Sequence, residues 1–474
     1  MERLVGRKEE IGRLTEYYNS GRAEFIAIYG RRRIGKTFLV RNIFRNQFVF
    51  EMSGSIGAGS DVQMSNFVNA LHDYGYMSAD APCNWTEAFH ALKTLLKKHT
   101  GNGKRMVIFI DELPCLDTPR AGFIPAFEHF WNSWASDQKE IMLIVCGSAT
   151  SWMINNLIDS HGGLHNRITH EIHLAPFTLA ETEEMLKKNG FAWPRLSIMQ
   201  IYSVMGGVPY YIGLLERQQS VEANIDRLFF AEYGELRREY SRLYNSLFNN
   251  SEIHIKVIEA LASCKQGLTR KQIAEKIKTT SGGTLTNVLR ELENCDFIHG
   301  YNTRERKIKQ KEQIYQLTDL YTLFYMQFCQ KGTTDEHYWQ NIMGKPRQNT
   351  WYGLSFERIC MQHIPQIKKK LGIDRIHTEY YSWRSRQSEP AAQIDLILER
   401  ADNLANVCEI KYSQFPYSIT KDEESHIRNR IADFTAETGI RSGIVTTFIT
   451  TFGIRKNAHS SIAQAELTMD DLFD

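Results

Sequence analysis

The sequence predicts an α/β fold, with a parallel sheet in its first third and a second α/β domain near its end, joined by helical segments. Three observations predict it. Short apolar runs within residues 24–30, 105–111 and 141–146 alternate with helical stretches such as Asn84 to His99, which is the pattern of a buried parallel sheet. A loop bracketed by Gly30 and Gly35 follows the first run, and an acidic pair, Asp111-Glu112, ends the second. Far downstream, two further apolar runs carry Asp395 and Glu409-Ile-Lys411.

The whole chain sets the frame. At 474 residues it exceeds one ordinary core, so two or more domains are expected. It is 42% hydrophobic and 24% charged, with 57 basic and 55 acidic residues for a net charge of +2. That balance suits a folded globular chain and leaves any nucleic-acid contact to local basic patches. No apolar run approaches ~18 residues, and Met1 to Arg7 lacks the apolar core of a signal peptide, so the expectation is no membrane partner and a cytoplasmic location. The eight cysteines form no CxxC pair and the fifteen histidines no HExxH, which argues against a zinc site. Cys115, Cys146 and Cys408 lie in apolar runs and read as small buried hydrophobes.

The loop Gly30-Arg31-Arg32-Arg33-Ile34-Gly35-Lys36-Thr37 is a complete phosphate-binding loop. Its glycines let backbone N–H groups curl around a β-phosphate, Lys36 reaches the β- and γ-phosphates, and Thr37 offers a hydroxyl to Mg²⁺. The helix that starts at Phe38 places its positive end toward the anion. ATP and Mg²⁺ are therefore the expected cofactors. About seventy residues on, Asp111 would hold the Mg²⁺ shell and Glu112 would polarise the attacking water as general base. Beyond the third apolar run, Ser148 is a candidate contact to the γ-phosphate or the water; a helix N-cap is the equal alternative.

Four stretches together resemble the AAA+-related STAND ATPases, in particular an ATPase family abundant in archaea and found in bacteria. They are Leu4-Val-Gly-Arg7, the phosphate loop with its acidic strand, Leu164 to Thr169 leading into Ile172–Phe177, and Gly206-Gly207-Val208-Pro209. The resemblance covers about Met1 to Leu236. It implies that Arg7 lies by the adenine, that Arg167 senses the γ-phosphate within the chain or across a subunit boundary, and that Pro209 reports on nucleotide. A homo-oligomer would follow from the second role of Arg167. Each has a plainer alternative: Arg7 a solvated charge, Arg167 a surface or salt-bridged side chain, and Gly206–Pro209 a helix end. The expected division is an ATPase core over 1–177 and a helical lid over 178–250.

Residues 251–330 read as a winged helix-turn-helix. Ile255 to Ala262 is amphipathic, Thr269 caps the next helix, a third follows Ser281-Gly-Gly, and residues 297–301 and 314–318 form a hairpin. The loop between them carries Arg304, Arg306, Lys307, Lys309 and Lys311, which could touch phosphates or simply be solvated.

In residues 350–470, a helix opening at Trp351 is expected to be capped by Ser355, with Glu357 in its first turn. A hairpin follows, with thirteen residues between Asp395 and Glu409. Period-2 alternation puts Glu409 and Lys411 on one face. Asp395 and Glu409 suit a second Mg²⁺ site, with Glu357 as outer ligand and Lys411 orienting water or stabilising a pentavalent phosphate. These residues resemble the PD-(D/E)XK restriction-endonuclease-like fold, which occupies this position in the same ATPase family. The departure is that no proline precedes Asp395, and Gln393 stands where a second acid is often found. The resemblance implies a nucleic-acid partner, DNA before RNA, and either Mg²⁺-dependent cleavage or a silent binding platform.

Overall fold

Strands that are apolar on both faces need cover on both faces, and the first sheet shows how this chain supplies it. In a computed structural model that describes residues 4–78, 81–101, 103–159, 166–248, 251–280, 282–301, 313–385 and 392–474, five parallel strands form this sheet. They are β1 (Glu24–Tyr29), β2 (Phe48–Ser53), β3 (Met106–Asp111), β4 (Ile141–Gly147) and β5 (His170–His173). Alternate residues of β1 face opposite ways: Phe25 and Ala27 join Phe67, Trp85 and Phe127 in one core cluster. Ile26 and Ile28 join Leu14, Leu39 and Val40 in another. Each such buried Phe, Ile, Leu or Val side chain contributes about 1.5–3 kcal/mol.

The strand order is β2-β3-β4-β1-β5. Thus β4 is inserted between the strand that feeds the phosphate loop and the strand that ends in Asp111. Their carboxyl ends lie along one edge, and the residue after β4, Ser148, falls between them. One of the two edge strands, β5, is short. Only Ile172 of its four residues is buried, as befits an edge covered on one side.

The chain divides into two compact units. One runs to Pro176, and the short stretch Leu247–Asn249 clusters with it; the other takes Phe177–Ser246 and Asn250 onward. Residues 178–250, read as a helical lid, thus pack largely with the C-terminal part of the chain. His363 shows how. Burial lowers its pKa to about 4, so the ring is neutral. Its Nδ1–H faces the Ile359 carbonyl at 2.8 Å, which leaves Nε2 to accept the Leu179 N–H at 3.0 Å.

Within this second unit, helices Glu252–Ala262, Arg270–Lys276 and Gly283–Asn294 accompany a small antiparallel sheet. Its strands are β6 (Leu268–Thr269), β7 (Ile298–Tyr301) and β8 (Ile314–Leu317), in the order β6-β8-β7. Thr269 caps its helix as expected, in a reciprocal capping box with Gln272. The basic loop Arg304–Lys311 lies outside the described residues.

The last sheet contains β9 (Thr378–Arg384), β10 (Gln393–Arg400), β11 (Leu404–Lys411), β12 (Gly443–Thr450) and β13 (Ala465–Thr468). Their order is β13-β12-β11-β10-β9. The first three strands run antiparallel, and β11, β12 and β13 run parallel. Helix Lys421–Thr438 makes the crossover from β11 to β12, because parallel neighbours cannot be joined by a tight turn. The preceding helix corrects an expectation. It runs from Pro346 to Gln362 with Lys345 at its N-cap, so Ser355 is not a cap. The Ser355 hydroxyl, fully buried, donates back to the Trp351 carbonyl at 2.9 Å, and proline at the first helical position supplies the start signal instead. Cys146 and Cys408 are buried, whereas Cys115 is half-exposed.

Trp85 packs edge-on to Phe67 and Phe123, with ring centroids 5.4 and 4.9 Å apart. Trp85→Ala is expected to destabilise the first unit by ~3–5 kcal/mol, read as an earlier urea transition, while the transition of the second unit stays put.

Candidate functional sites

The phosphate loop begins where only glycine fits. Gly30 has φ 139°, and a Cβ there would lie 2.3 Å from the Leu174 carbonyl oxygen. Gly35, at φ 91°, turns the chain directly into helix Lys36–Phe44, whose first turn has no side-chain cap. Its leading N–H groups are therefore left for an anion. Lys36 is buried, and its Nζ donates to the carbonyls of Gly30 at 2.8 Å and Arg31 at 3.0 Å. The ammonium thus lies across the loop it serves. Arg31 and Ile34 are buried, Arg32 and Arg33 half-buried, and Phe38 is exposed on the outer face of the helix.

The loop meets the acidic strand through one contact. Thr37 Oγ1 donates to Asp111 Oδ2 at 2.7 Å. Burial raises the pKa of Asp111 and the neighbouring Glu112 charge adds to this, while the Thr37 hydrogen bond and Lys36 oppose it. Glu112 adopts a left-handed conformation, φ 46°, which turns its side chain off the strand axis toward β4. There Ser148 Oγ lies 2.9 and 2.8 Å from the two carboxylate oxygens, and the Ser148 N–H donates to Oε2 at 3.2 Å. Ser148 is not a helix cap; the next helix has Ala149 in that place.

Arg7 is 5% exposed and so is not a solvated charge. Its Nη2 donates to the Ala175 carbonyl at 2.6 Å and lies 3.3 Å from that of Ile34, and its Nη1 pairs with Glu10 at 3.4 Å. Arg167 lies exposed in the turn before β5. No hydrogen bond or ion pair among the described residues ties it to the loop. In the second unit, Gly206 ends helix Arg195–Met205 in the left-handed conformation and Pro209 starts helix Pro209–Ile212. Between them Gly207, at φ 67°, passes so close to the Phe177 carbonyl oxygen that a Cβ would lie 2.1 Å from it.

A second cluster forms at the β10–β11 hairpin. The register pairs Leu396 with Cys408, so Asp395 and Glu409 stand opposite each other one step further along. Gln393 Nε2 donates to Asp395 Oδ1 at 2.9 Å. Glu409 is buried and carries two cations, Arg430 at 2.9 Å and Lys411 at 3.6 Å. Burial still pushes its pKa up, and the charge of Asp395 adds to that push. Glu357, half-buried on its helix, is raised to about 7, first by burial and then by Asp395, with Arg358 and Lys411 pulling the other way. Asp395 and Lys411 thus act on both Glu357 and Glu409.

The residues present fit the expected metal in the first site. Thr37 and Asp111 offer the hydroxyl and carboxylate oxygens that Mg²⁺ takes alongside phosphate oxygens and water. In the second site Asp395 and Glu409 offer two carboxylates. Among the described residues, however, no group of three or more His, Cys, Asp or Glu side chains converges as a metal site. Water and backbone oxygens would have to complete that shell.

Residues 4–215 match the model of a family described as an ATPase domain predominantly from Archaea. Residues 4–215 are thus similar to an archaeal-type ATPase domain. An uncharacterized protein of Methanocaldococcus jannaschii is 26% identical over 423 residues, covering 86% of this chain and 87% of that one. An uncharacterized ATP-binding protein of the same organism is 44% identical over 44 residues, 9% of this chain and 75% of that one. Among solved structures, the Walker-type ATPase of Pyrococcus abyssi aligns at 15% identity over 69% of this chain and 96% of that one, with a TM-score of 0.47. The ORC2 protein of Aeropyrum pernix aligns at 15% identity over 68% and 95%, with a TM-score of 0.35.

The sequence singles out Arg7 by resemblance, but it gives no sign of that residue's partners or of Arg430. Within the ATPase domain, the carbonyl contacts of Arg7 need the folded loop to exist. Outside it, Arg430 holds both Glu409 and, at 3.2 Å, the carbonyl of Gln393. Along helix Lys421–Thr438 it reads as one more basic residue of a solvated face. No helix of the described residues is long and apolar enough to cross a membrane.

The Glu357 shift has a sign that can be checked. The folded chain holds the Glu357 proton between its usual 4.5 and about 7, so the stability contributed by this group is full below that window and falls as pH rises through it. Glu357→Gln should remove that slope. Wild type is expected to lose up to ~3 kcal/mol relative to the variant across the window, an upper figure because the side chain keeps some water contact. Urea unfolding of both proteins across the window reads it.

Proposed function

We propose that the chain binds and hydrolyses ATP with Mg²⁺ in its N-terminal unit, and that this reaction governs a nuclease-like C-terminal domain acting on nucleic acid. The Thr37–Asp111 hydrogen bond carries the reading, because it joins the loop that grips phosphates to the acid that holds their metal. The match of residues 4–215 to an ATPase domain family supports it.

Chemically, Lys36 exchanges its two loop carbonyls for the β- and γ-phosphate oxygens, a charge-assisted contact in place of a neutral one. The uncapped N–H groups of helix Lys36–Phe44 take the β-phosphate. Bound Mg²⁺ would supply charge neutralisation at the β- and γ-oxygens, next to Thr37 and Asp111. Glu112 accepts the proton of the attacking water. Ser148 holds the Glu112 carboxylate ready and lets it go when that water arrives. Arg7 fixes the loop from behind, and Arg167, being exposed, is open to a neighbouring copy of the chain as much as to its own nucleotide.

For the second unit, a helix, three antiparallel strands, a crossover helix and a parallel fourth strand support a PD-(D/E)XK-like domain. The three helices and small sheet over 252–317 support a winged helix. Asp395, Glu409, Lys411 and Glu357 would act at a phosphodiester, with DNA the first substrate to try. A catalytically silent platform is the second reading, favoured by the two cations already bound to Glu409.

Lys36→Ala is expected to abolish nucleotide binding, measured by calorimetry. Glu112→Gln should keep binding and lower kcat by ~10²–10⁴-fold, since it removes general-base catalysis alone. Plasmid nicking in Mg²⁺ should disappear in Asp395→Ala; nicking by that variant equal to wild type would leave only the silent reading.

A further inference from the structure

Two loops emerge side by side from the carboxyl ends of β11 and β12, and neither belongs to the chemistry above. Three contacts stitch them together. The Ser413 N–H donates to Thr451 Oγ1 at 3.1 Å, the Tyr417 N–H to the Gly453 carbonyl at 2.8 Å, and the Arg455 N–H to the Tyr417 carbonyl at 2.8 Å. Phe415, between the stitched residues of the first loop, is 75% exposed, and Phe452, in the second, is 39% exposed. Both are carried on stitched loops with their rings exposed, and large apolar side chains exposed on two joined loops mark a surface that a ligand can cover.

The charges around these rings point to what that is. Arg455 and Lys456 lie just beyond Phe452 and are exposed. Neither has an ion pair among the described residues. Three acids on adjoining segments are engaged elsewhere. Glu423 accepts from the Tyr417 hydroxyl and the Thr420 N–H, Glu424 is paired with Arg428 and His459, and Glu466 accepts the Ile454 N–H. A cavity of about 230 Å³ opens between Lys411, Tyr417, His426 and Arg430, with Glu423, already bonded to Tyr417 and Thr420, also in its wall. Tyr417 therefore belongs both to the stitched loops and to the wall of the cavity that holds Lys411.

Resting on the nuclease-like reading of this site, we infer that Phe415 and Phe452 form a stacking platform for unpaired bases, with Arg455 and Lys456 taking the adjoining phosphates. The ligand is a single-stranded stretch of nucleic acid, whose backbone the platform leads into the cavity in front of Lys411. Flat rings stack on any base and exposed cations contact any phosphate, so the site selects for unstacked bases and is indifferent to sequence. A closed duplex keeps its bases stacked inside and offers such rings nothing but its backbone.

The test is fluorescence anisotropy with the full chain, without nucleotide and with EDTA, on a labelled single-stranded oligonucleotide and on the same sequence as a duplex. Phe415→Ala/Phe452→Ala is expected to weaken single-strand binding by ~10-fold or more with the salt dependence unchanged. Duplex binding and the ATPase rate should stay as in wild type. Arg455→Gln/Lys456→Gln should instead flatten the salt dependence of single-strand binding, the slope falling by about 0.7 for each phosphate that is no longer neutralised. Single-strand affinity unaltered by removal of both rings, or weakened equally for the duplex, overturns the platform while leaving the nuclease-like reading intact. Wild type that binds neither form overturns both.

Discussion

A hydrogen bond from Thr37 to Asp111 ties together strands that are not neighbours. With β4 inserted between β1 and β3, the loop and the acid can meet only beyond the strand ends, where the three carboxyl termini reach one edge. The rest of the first unit serves that meeting. Apolar faces fix the sheet, glycine at positions 30 and 35 lets the loop fold back, and Arg7 braces it against the carbonyl after β5. Ser148 is at the right place because it leaves the inserted strand, and its hydroxyl and N–H both go to Glu112. The geometry is built from the sheet order upward, and a change in that order would separate groups that lie 74 positions apart in the chain.

The second cluster has a different logic. In the first site the carboxylates are met by hydroxyl and amide groups, which a metal and its phosphates can join without expelling a charge. In the hairpin site Glu409 is already neutralised by Arg430 and Lys411. Burying a carboxylate this deeply is costly unless it is paired, so the arginine on the crossover helix solves a folding problem for the sheet. It also sets a condition on any chemistry there: a divalent ion must compete with a guanidinium held by a second bond to the Gln393 carbonyl.

Much of this was legible in the sequence because it is local. A glycine-bracketed loop after an apolar run, an acidic pair ending another, and a hairpin with an acid on each strand are each short enough to be fixed by period and turn chemistry. The phosphate loop, Asp111, Glu112, Asp395 and Glu409 all stand on the elements those patterns imply. What could not be read depends on how elements dock. Resemblance put Arg7 by the adenine and left a solvated charge as the alternative; only its carbonyl partners show that it is buried in the fold. Ser355 resembled a cap because serine before an acidic first turn is the usual signal, yet Pro346 had started the helix earlier and a buried hydroxyl can return its proton to its own turn. Arg430 was hidden among the charges of an exposed-looking helix, since nothing in the spacing says which side of that helix meets the sheet.

The guanidinium of Arg7 grips the carbonyls of Ile34 and Ala175 at once. One belongs to the glycine-bracketed loop; the other lies a single residue before Pro176, where the first unit ends. One planar cation therefore pins the loop to the closing residues of its own unit, and lysine at that position could not serve both carbonyls in the same fixed plane.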